Sequence, residues 1–240
     1  MTGWQPVPER IETLLSSVTT ATLAGQLLSR GLRDQFIAGA VPVARGRRMV
    51  GAAWTARTIP SREDLDGLWP GSKPVPSPGV SLFDVVESTP EGGVLVIDGR
   101  GDHRTATGGD ILVERLRVRG ARGLVTDAGV RDVAGVSGTG LPCWSAGATA
   151  NVSRAFLRVI EQDVPIGCGA TAVFPSDVLV GDDDGVIVIP RAMAEEVAEA
   201  AAEQDRLEEF IAQKVRDGAP LRGTYPPSPE LLAEFRERTR

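Results

Sequence analysis

The fold is decided by three consecutive stretches: Val94-Leu95-Val96-Ile97-Asp98, then Gly108-Gly109-Asp110-Ile111-Leu112, then Gly123-Leu124-Val125-Thr126-Asp127-Ala128-Gly129-Val130-Arg131-Asp132. The first is a short unbroken apolar run, as expected of a strand buried on both faces. The second opens a helix predicted over Gly109 to Arg119, with Ile111, Leu112, Val113 and Leu116 turned inward and Arg115, Arg117 and Arg119 outward. Gly120 ends it, and Gly123 to Asp127 is the next strand. This is a β-α-β unit. In open α/β sheets, ligands collect outside the carboxyl ends of the strands. Asp98 and Asp127 leave neighbouring strands on the side where the Gly108-Gly109 helix begins, so the two loops are expected to meet at one edge.

Working outward, Ile11, Leu14, Leu15 and Val18 repeat at helical spacing within an N-terminal helical segment of about 8–33. Thr19-Thr20 can cap a second helix there, closed by Gly31. Met49 to Ile59 reads as a strand stopped by Pro60 and Ser61. Trp69 to Pro78, with prolines at 70, 74, 76 and 78, reads as a loop or flap. Short strands follow at Leu141–Trp144, Ala170–Phe174, Val178–Val180 and Val186–Ile189. Their close spacing implies antiparallel or mixed sheet. A long amphipathic helix is predicted from Ala192 to Arg216, with Val197, Ala201, Leu207, Phe210, Ile211 and Val215 on one face. The tail through Tyr225-Pro226-Pro227 reads as an arm. Helix plus arm, about 191–240, would suit a subunit contact. The expected fold is one α/β domain over residues 1–240 with two sheet layers.

Composition narrows the chemistry. A net charge of −6 argues against a general nucleic-acid or anionic-membrane binder. No apolar run spans a bilayer, and the N-terminus lacks a signal-peptide pattern. Cys143 and Cys168 are the only cysteines, so no disulfide scaffold is expected and a cytoplasmic protein is the default. The only lysines are Lys73 and Lys214, and the only histidine is His103. Schiff-base chemistry and a Ser-His-Asp triad therefore have few candidates, and a zinc site of His and Cys has too few ligands. A bound metal would be a hard ion held by carboxylates, carbonyls and water: Mg²⁺, Mn²⁺ or Ca²⁺.

Two features carry chemistry. The helix opening at Gly109-Asp110 offers free N–H groups, at Ile111 and Leu112, to a carboxylate. In Arg131-Asp132 the arginine can grip a carboxylate and the aspartate a cation; judged alone, the pair reads first as a structural ion pair or a turn cap, and its position beyond the strand end adds weight to the functional reading. Asp182-Asp183-Asp184-Gly185 lacks the spacing of a calcium loop and reads as a solvated acidic turn, with Gly185 at positive φ. Gly138-Thr139-Gly140 is no dinucleotide fingerprint. His103 reads as a polar loop residue, with a gating role the less favoured alternative.

These segments, with Gly181-Asp182-Asp183-Asp184-Gly185-Val186-Ile187-Val188-Ile189-Pro190, occur in the order seen in RraA-like proteins, and the chain resembles that family from roughly Val18 to Gly218. The family includes the class II 4-hydroxy-4-methyl-2-oxoglutarate aldolases and the regulator of ribonuclease E activity. The resemblance implies a swivelling β/β/α layered fold with flanking N-terminal helices and a long C-terminal helix. It also implies a homotrimer or homohexamer with its site between subunits. Carried over residue by residue, Asp132 would bind a divalent Mg²⁺ or Mn²⁺ directly. Arg131 would hold the carboxylate and keto oxygen of pyruvate, and the N–H groups of Ile111 and Leu112, behind Gly109, would grip the same carboxylate. Asp110 would position a water for proton transfer. Glu208 of a neighbouring subunit would reach the metal through water.

The implied activity is a metal-dependent lyase that cleaves a 4-hydroxy-2-oxo acid to pyruvate by retro-aldol reaction, with oxaloacetate decarboxylation as a companion reaction. A non-catalytic regulator binding a ribonuclease, and a lyase of a sugar-derived 2-oxo acid, are the alternatives. One departure bears on this choice. The family's aldolases carry an acid shortly after the Arg-Asp pair, whereas here the run is Val133-Ala134-Gly135-Val136.

Overall fold

The computed structural model describes residues 3–66 and 80–238, so the Pro-rich loop expected at 69–78, with Lys73, lies outside the described residues. The helices are α1 (Glu9–Leu15), α2 (Thr20–Ser29), α3 (Glu63–Asp66), α4 (Leu82–Ser88), α5 (Asp110–Val118), α6 (Val133–Thr139), α7 (Ala194–Arg216) and α8 (Pro229–Arg238). The strands are β1 (Val41–Pro42), β2 (Met49–Pro60), β3 (Gly93–Ile97), β4 (Gly123–Thr126), β5 (Gly129–Val130), β6 (Cys143–Ser145), β7 (Gly147–Ala148), β8 (Leu157–Gln162), β9 (Ile166–Cys168), β10 (Thr171–Val173), β11 (Val178–Gly181) and β12 (Val186–Ile189).

Among the described residues, eight strands form one mixed sheet in the order β1-β6-β4-β3-β2-β11-β12, with β8 also paired to β2. The β2, β3 and β4 strands run parallel, and β11 and β12 add antiparallel pairs. A register shift between Arg57 and Thr58 lets the far end of β2 pair with β8. The mixed α/β class and the antiparallel C-terminal half agree with the sequence reading.

Side-chain alternation sorts the core. Val94 and Val96 of β3 and Val186 and Val188 of β12 point to an inner cluster with Ile37, Trp144 and Cys168. The alternate residues point outward. Leu95 and Ile97 lie under α4, α5 and α6, whereas Ile187 and Ile189 lie under α1, α2 and α7. The sheet therefore curls around one core and is covered by two separate helical layers. Trp144, fully buried, donates its indole N–H to the Asp182 carbonyl at 2.9 Å, so its polar edge is satisfied. Truncating such a side chain costs about 3–5 kcal/mol.

Local signals set the helix ends. The Thr19 side chain accepts from Thr22 N at 3.1 Å, as its capping position predicts. Ser81 and Asp84 form a reciprocal capping box that starts α4. Gly185 has φ +148°, as expected of that turn.

Three expectations are corrected. Asp182 is not solvated: it is buried, and its carboxylate accepts from Thr20 N and Thr20 Oγ1, both at 2.8 Å, holding the start of α2 against the sheet. The C-terminal arm contains a helix, α8, whose Phe235 packs on Phe210 with ring centroids 5.7 Å apart. Ile111 does not face inward; it is 78% exposed, while Val113 and Leu116 fill the buried face of α5. No helix among the described residues is long and apolar enough to cross a membrane.

Candidate functional site

The edge predicted for Asp98 and Asp127 exists. Asp127 is buried at the end of β4, and its carboxylate accepts from Gly99 N at 2.6 Å, Gly101 N at 3.0 Å and Gly169 N at 3.2 Å. It thereby ties the loop after β3 to the loop after β4. Burial raises the Asp98 carboxyl above the usual carboxylate range; the Arg100 N–H, at 3.0 Å, opposes this, and nearby Asp127 adds to it. The triple acceptor role of Asp127 was missed in the sequence because the donors lie in distant loops.

Beyond Asp127 the chain passes through β5 and reaches Arg131-Asp132. Arg131 N donates to the Gly108 carbonyl at 3.0 Å, which fixes this loop to the start of α5. Arg131 Nε lies 3.2 Å from Asp132 Oδ2, and both side chains remain about half exposed. Asp132 has φ +53°, the left-handed conformation that aspartate tolerates better than most side chains, and it starts α6. Backbone strain of this kind persists only where the surroundings over-determine it.

Gly109 precedes α5 and faces this pair. A Cβ at Gly109 would stand 3.1 Å from Asp132 Oδ2 and 3.2 Å from Arg131 Nε. The glycine and the Arg-Asp couple therefore share one locus. Asp110 is packed just as tightly: a Cβ at Gly135 of α6 would lie 2.7 Å from Asp110 Cβ and 2.9 Å from its Oδ2. Asp110 Oδ1 accepts from Ile111 N at 2.8 Å. One of the two N–H groups expected for a ligand carboxylate is thus capped by the neighbouring side chain. A ligand there has to exchange with Asp110.

Arg131 borders two clefts. One, of about 770 Å³, runs from Gly109, Asp110 and Arg131 to the N-terminus of α4 and the start of β8, with Ile97 and Leu157 among its lining residues. The other, of about 440 Å³, lies between Asp132, Val133 and the 148–150 segment. The sequence reading missed α4 and β8, which wall the first cleft. The Ser81–Asp84 box was the available signal for α4.

Glu208 lies elsewhere. It accepts from Gln204 Nε2 at 2.7 Å on α7, which packs on α1 and α2, whereas α5 packs on α6. Within one chain Glu208 does not join the pair. Among the described residues, no group of three or more His, Cys, Asp or Glu side chains is placed to hold a metal ion. Asp132 nonetheless suits a hard cation that keeps most of its water, since such ions are held by one or two protein carboxylates plus substrate oxygens. His103 is exposed, and Cys143 and Cys168 are buried free thiols.

With this geometry defined, the chain belongs to the RraA-like family: a family model described as Aldolase/RraA matches residues 20–188. It is 33% identical over 136 residues to a Halalkalibacterium halodurans protein named "Putative 4-hydroxy-4-methyl-2-oxoglutarate aldolase", covering 57% of this chain and 64% of that one. The chain spans less than two thirds of the length of the curated relatives it matches first. Among solved structures it is similar to Streptomyces coelicolor RraAS2, described as an unusual member of the RNase ES inhibitor RraA protein family. That match has TM-score 0.76 and 30% identity and covers 87% of this chain and 98% of that one. An uncharacterized protein of Pseudomonas syringae pv. tomato shares the fold, with TM-score 0.79 at 23% identity over 92% of this chain and 100% of that one.

Proposed function

We propose that this protein is a divalent-metal-dependent lyase that cleaves a 4-hydroxy-2-oxo acid, the class that includes 4-hydroxy-4-methyl-2-oxoglutarate, to pyruvate and a carbonyl product. Oxaloacetate decarboxylation is the companion reaction, because it develops the same negative charge on the keto oxygen. The observation that carries the proposal is the packing of Gly109 against both Arg131 and Asp132, with Gly109 and Arg131 lining a cleft of about 770 Å³ and Arg131 and Asp132 lining one of about 440 Å³.

Each residue then has a task. Arg131, half exposed and anchored through its backbone, grips the substrate carboxylate and keto oxygen with fixed positive charge. The N–H groups of Ile111 and Leu112 receive the same carboxylate. As the carboxylate takes the Ile111 N–H, Asp110 loses its bond to it and becomes available to hold a water for proton transfer. Asp132 would hold the Mg²⁺ or Mn²⁺, and Glu208 of a neighbouring subunit in a homotrimer or homohexamer would be its further partner through water. A divalent ion there supplies Lewis-acid stabilisation of the charge that develops on the keto oxygen.

The test is pyruvate release from a 4-hydroxy-2-oxo acid with Mg²⁺ or Mn²⁺, repeated with EDTA and with Asp132→Ala. Both changes are expected to abolish release while the protein stays folded. Turnover that survives either one contradicts the metal mechanism.

A second reading has its own support. The first turn of α6, Val133-Ala134-Gly135, supplies no acid, and the 30% identical RraAS2 is described within an RNase ES inhibitor family. A regulator that binds a ribonuclease would show no turnover across a panel of oxo acids and a tight ribonuclease complex.

A further inference from the structure

The cleft is much larger than pyruvate. At water's share of roughly 30 Å³ per heavy atom, the six heavy atoms of pyruvate fill at most about 180 Å³, whereas the cleft holds about 770 Å³. The remainder has a definite chemistry. Its floor contains Ile97 and Leu157, both nearly fully buried. Its walls include the half-buried Leu112, Val159 and Leu82, and the exposed Phe83 at the start of α4. Charged groups are placed differently. Arg131 and Asp110 stand at the 2-oxo acid end, and Asp84 is engaged in the α4 capping box. Arg154 is exposed, and Arg158 already has an interaction of its own.

We propose that this apolar part of the cleft is the subsite for the group on carbon 4 of the substrate. The substrate is then a 4-hydroxy-2-oxo acid ending in an alkyl or aryl group rather than in a second carboxylate. This inference rests on the lyase reading for the reaction but not for the binding. In the reaction the C3–C4 bond breaks and its electron pair stays on C3. The C4 hydroxyl gives up its proton as C4 becomes the carbonyl of the departing product. C3 then takes a proton, which yields pyruvate. A second carboxylate would instead be desolvated against Ile97 and Leu157, and of the cations lining that part Arg154 stands exposed and Arg158 is already engaged.

Binding is measured by calorimetry with Mg²⁺ present, using pyruvate, 2-oxohexanoate, phenylpyruvate and 2-oxoglutarate. All four lack the 4-hydroxyl and cannot undergo the cleavage. The expected result is that 2-oxohexanoate binds at least about tenfold tighter than pyruvate, a discount on the roughly 50-fold that its three additional methylenes would give if fully buried, and that it also binds tighter than 2-oxoglutarate. Phe83 is 70% exposed, so Phe83→Asp leaves the core intact, and it is expected to collapse the ratio of 2-oxohexanoate to pyruvate affinity. Equal or tighter binding of 2-oxoglutarate, or a preference untouched by Phe83→Asp, overturns the proposal. Parallel turnover assays compare 4-hydroxy-2-oxooctanoate with 4-hydroxy-4-methyl-2-oxoglutarate. Apolar preference in binding with no cleavage of either acid removes the lyase reading and leaves the subsite. Cleavage that favours the dicarboxylate removes the subsite and leaves the lyase. Failure of all four acids to bind removes both.

Discussion

Gly109 and Asp132 are so close that a Cβ on the glycine would stand 3.1 Å from the aspartate Oδ2. The glycine's own φ is −141°, an extended conformation open to any residue, so the constraint at 109 is space and not backbone strain. Gly109→Ala therefore tests the site with little effect on the fold. The methyl group must push Asp132 and Arg131 away by a few tenths of an ångström. Displacements of catalytic groups are costly, up to about 100-fold for 1 Å. For a shift of a few tenths of an ångström the expected result is a fall of about 3–10-fold in kcat/KM for pyruvate release with a nearly unchanged melting temperature. An alanine variant with full activity would show that the pair can move freely.

Arg131→Lys separates charge from shape. Lysine keeps the positive charge but loses the planar fork that holds a carboxylate and a keto oxygen together. Removing one preorganised donor from an active site costs roughly 100–1000-fold in rate. Arg131 is about half exposed, so stability should change by no more than about 0.5 kcal/mol. A steady-state comparison should show kcat/KM reduced about 100-fold, with thermal melts close to those of the unsubstituted protein.

The β3–α5–β4 unit was legible in the sequence because its strands are unbroken apolar runs and its helix is bracketed by glycines. Its connection to Arg131-Asp132 followed from the rule that ligands gather at the carboxyl ends of strands. What could not be read depended on contacts distant in sequence. Asp182 looked like part of a solvated acidic turn because nothing local shows that Thr20 will meet its carboxylate. Ile111 fits the apolar stripe of α5, yet Val113 and Leu116, with the partly buried Leu112 beside them, fill the space under the helix. The tail at Pro226-Pro227 hid a helix start, where Ser228 Oγ accepts from Leu231 N at 3.3 Å. β8 carries no uniform apolar run; its pattern Leu157-Arg158-Val159-Ile160-Glu161-Gln162 reflects a strand only partly covered.

The two thiols should be inert in the folded protein. Burial pushes Cys143 up to about 12 from 9.0, and it pushes Cys168 well above 9.0 too, with nearby Asp127 adding to the shift. The thiolate is the reactive form. At pH 8 a disulfide reagent should label neither cysteine in the native protein and both after unfolding. The same shift has a sign for stability. Between pH 9 and about 12 the unfolded chain loses the Cys143 proton while the folded chain keeps it. The contribution to stability is therefore whole below pH 9 and declines as pH rises through that window. Denaturant midpoints measured from pH 8 to 11 should fall, and Cys143→Ser should flatten part of that slope.

Asp127 offers the sharpest test of how the site edge is held. Its two oxygens accept three backbone N–H groups, from Gly99, Gly101 and Gly169, in a buried setting. Asp127→Ala leaves those donors without their acceptor. Leaving buried donors unsatisfied costs about 1–3 kcal/mol each, and partial entry of water reduces the sum to roughly 2–4 kcal/mol. In a chain of this size that corresponds to a melting temperature lower by about 5–15 °C. Asn is the informative comparison. It is nearly isosteric, but it replaces one acceptor oxygen with an NH₂ group that faces either the Gly99 donor or the Gly101 and Gly169 donors. Asp127→Asn should therefore melt no higher than Asp127→Ala, despite its better fit to the space. If Asn restores the melting temperature, the carboxylate fills volume and does not organise the loops. If it fails as Ala does, the paired acceptor oxygens position the loop after β3 against the loop that leads to Arg131 and Asp132.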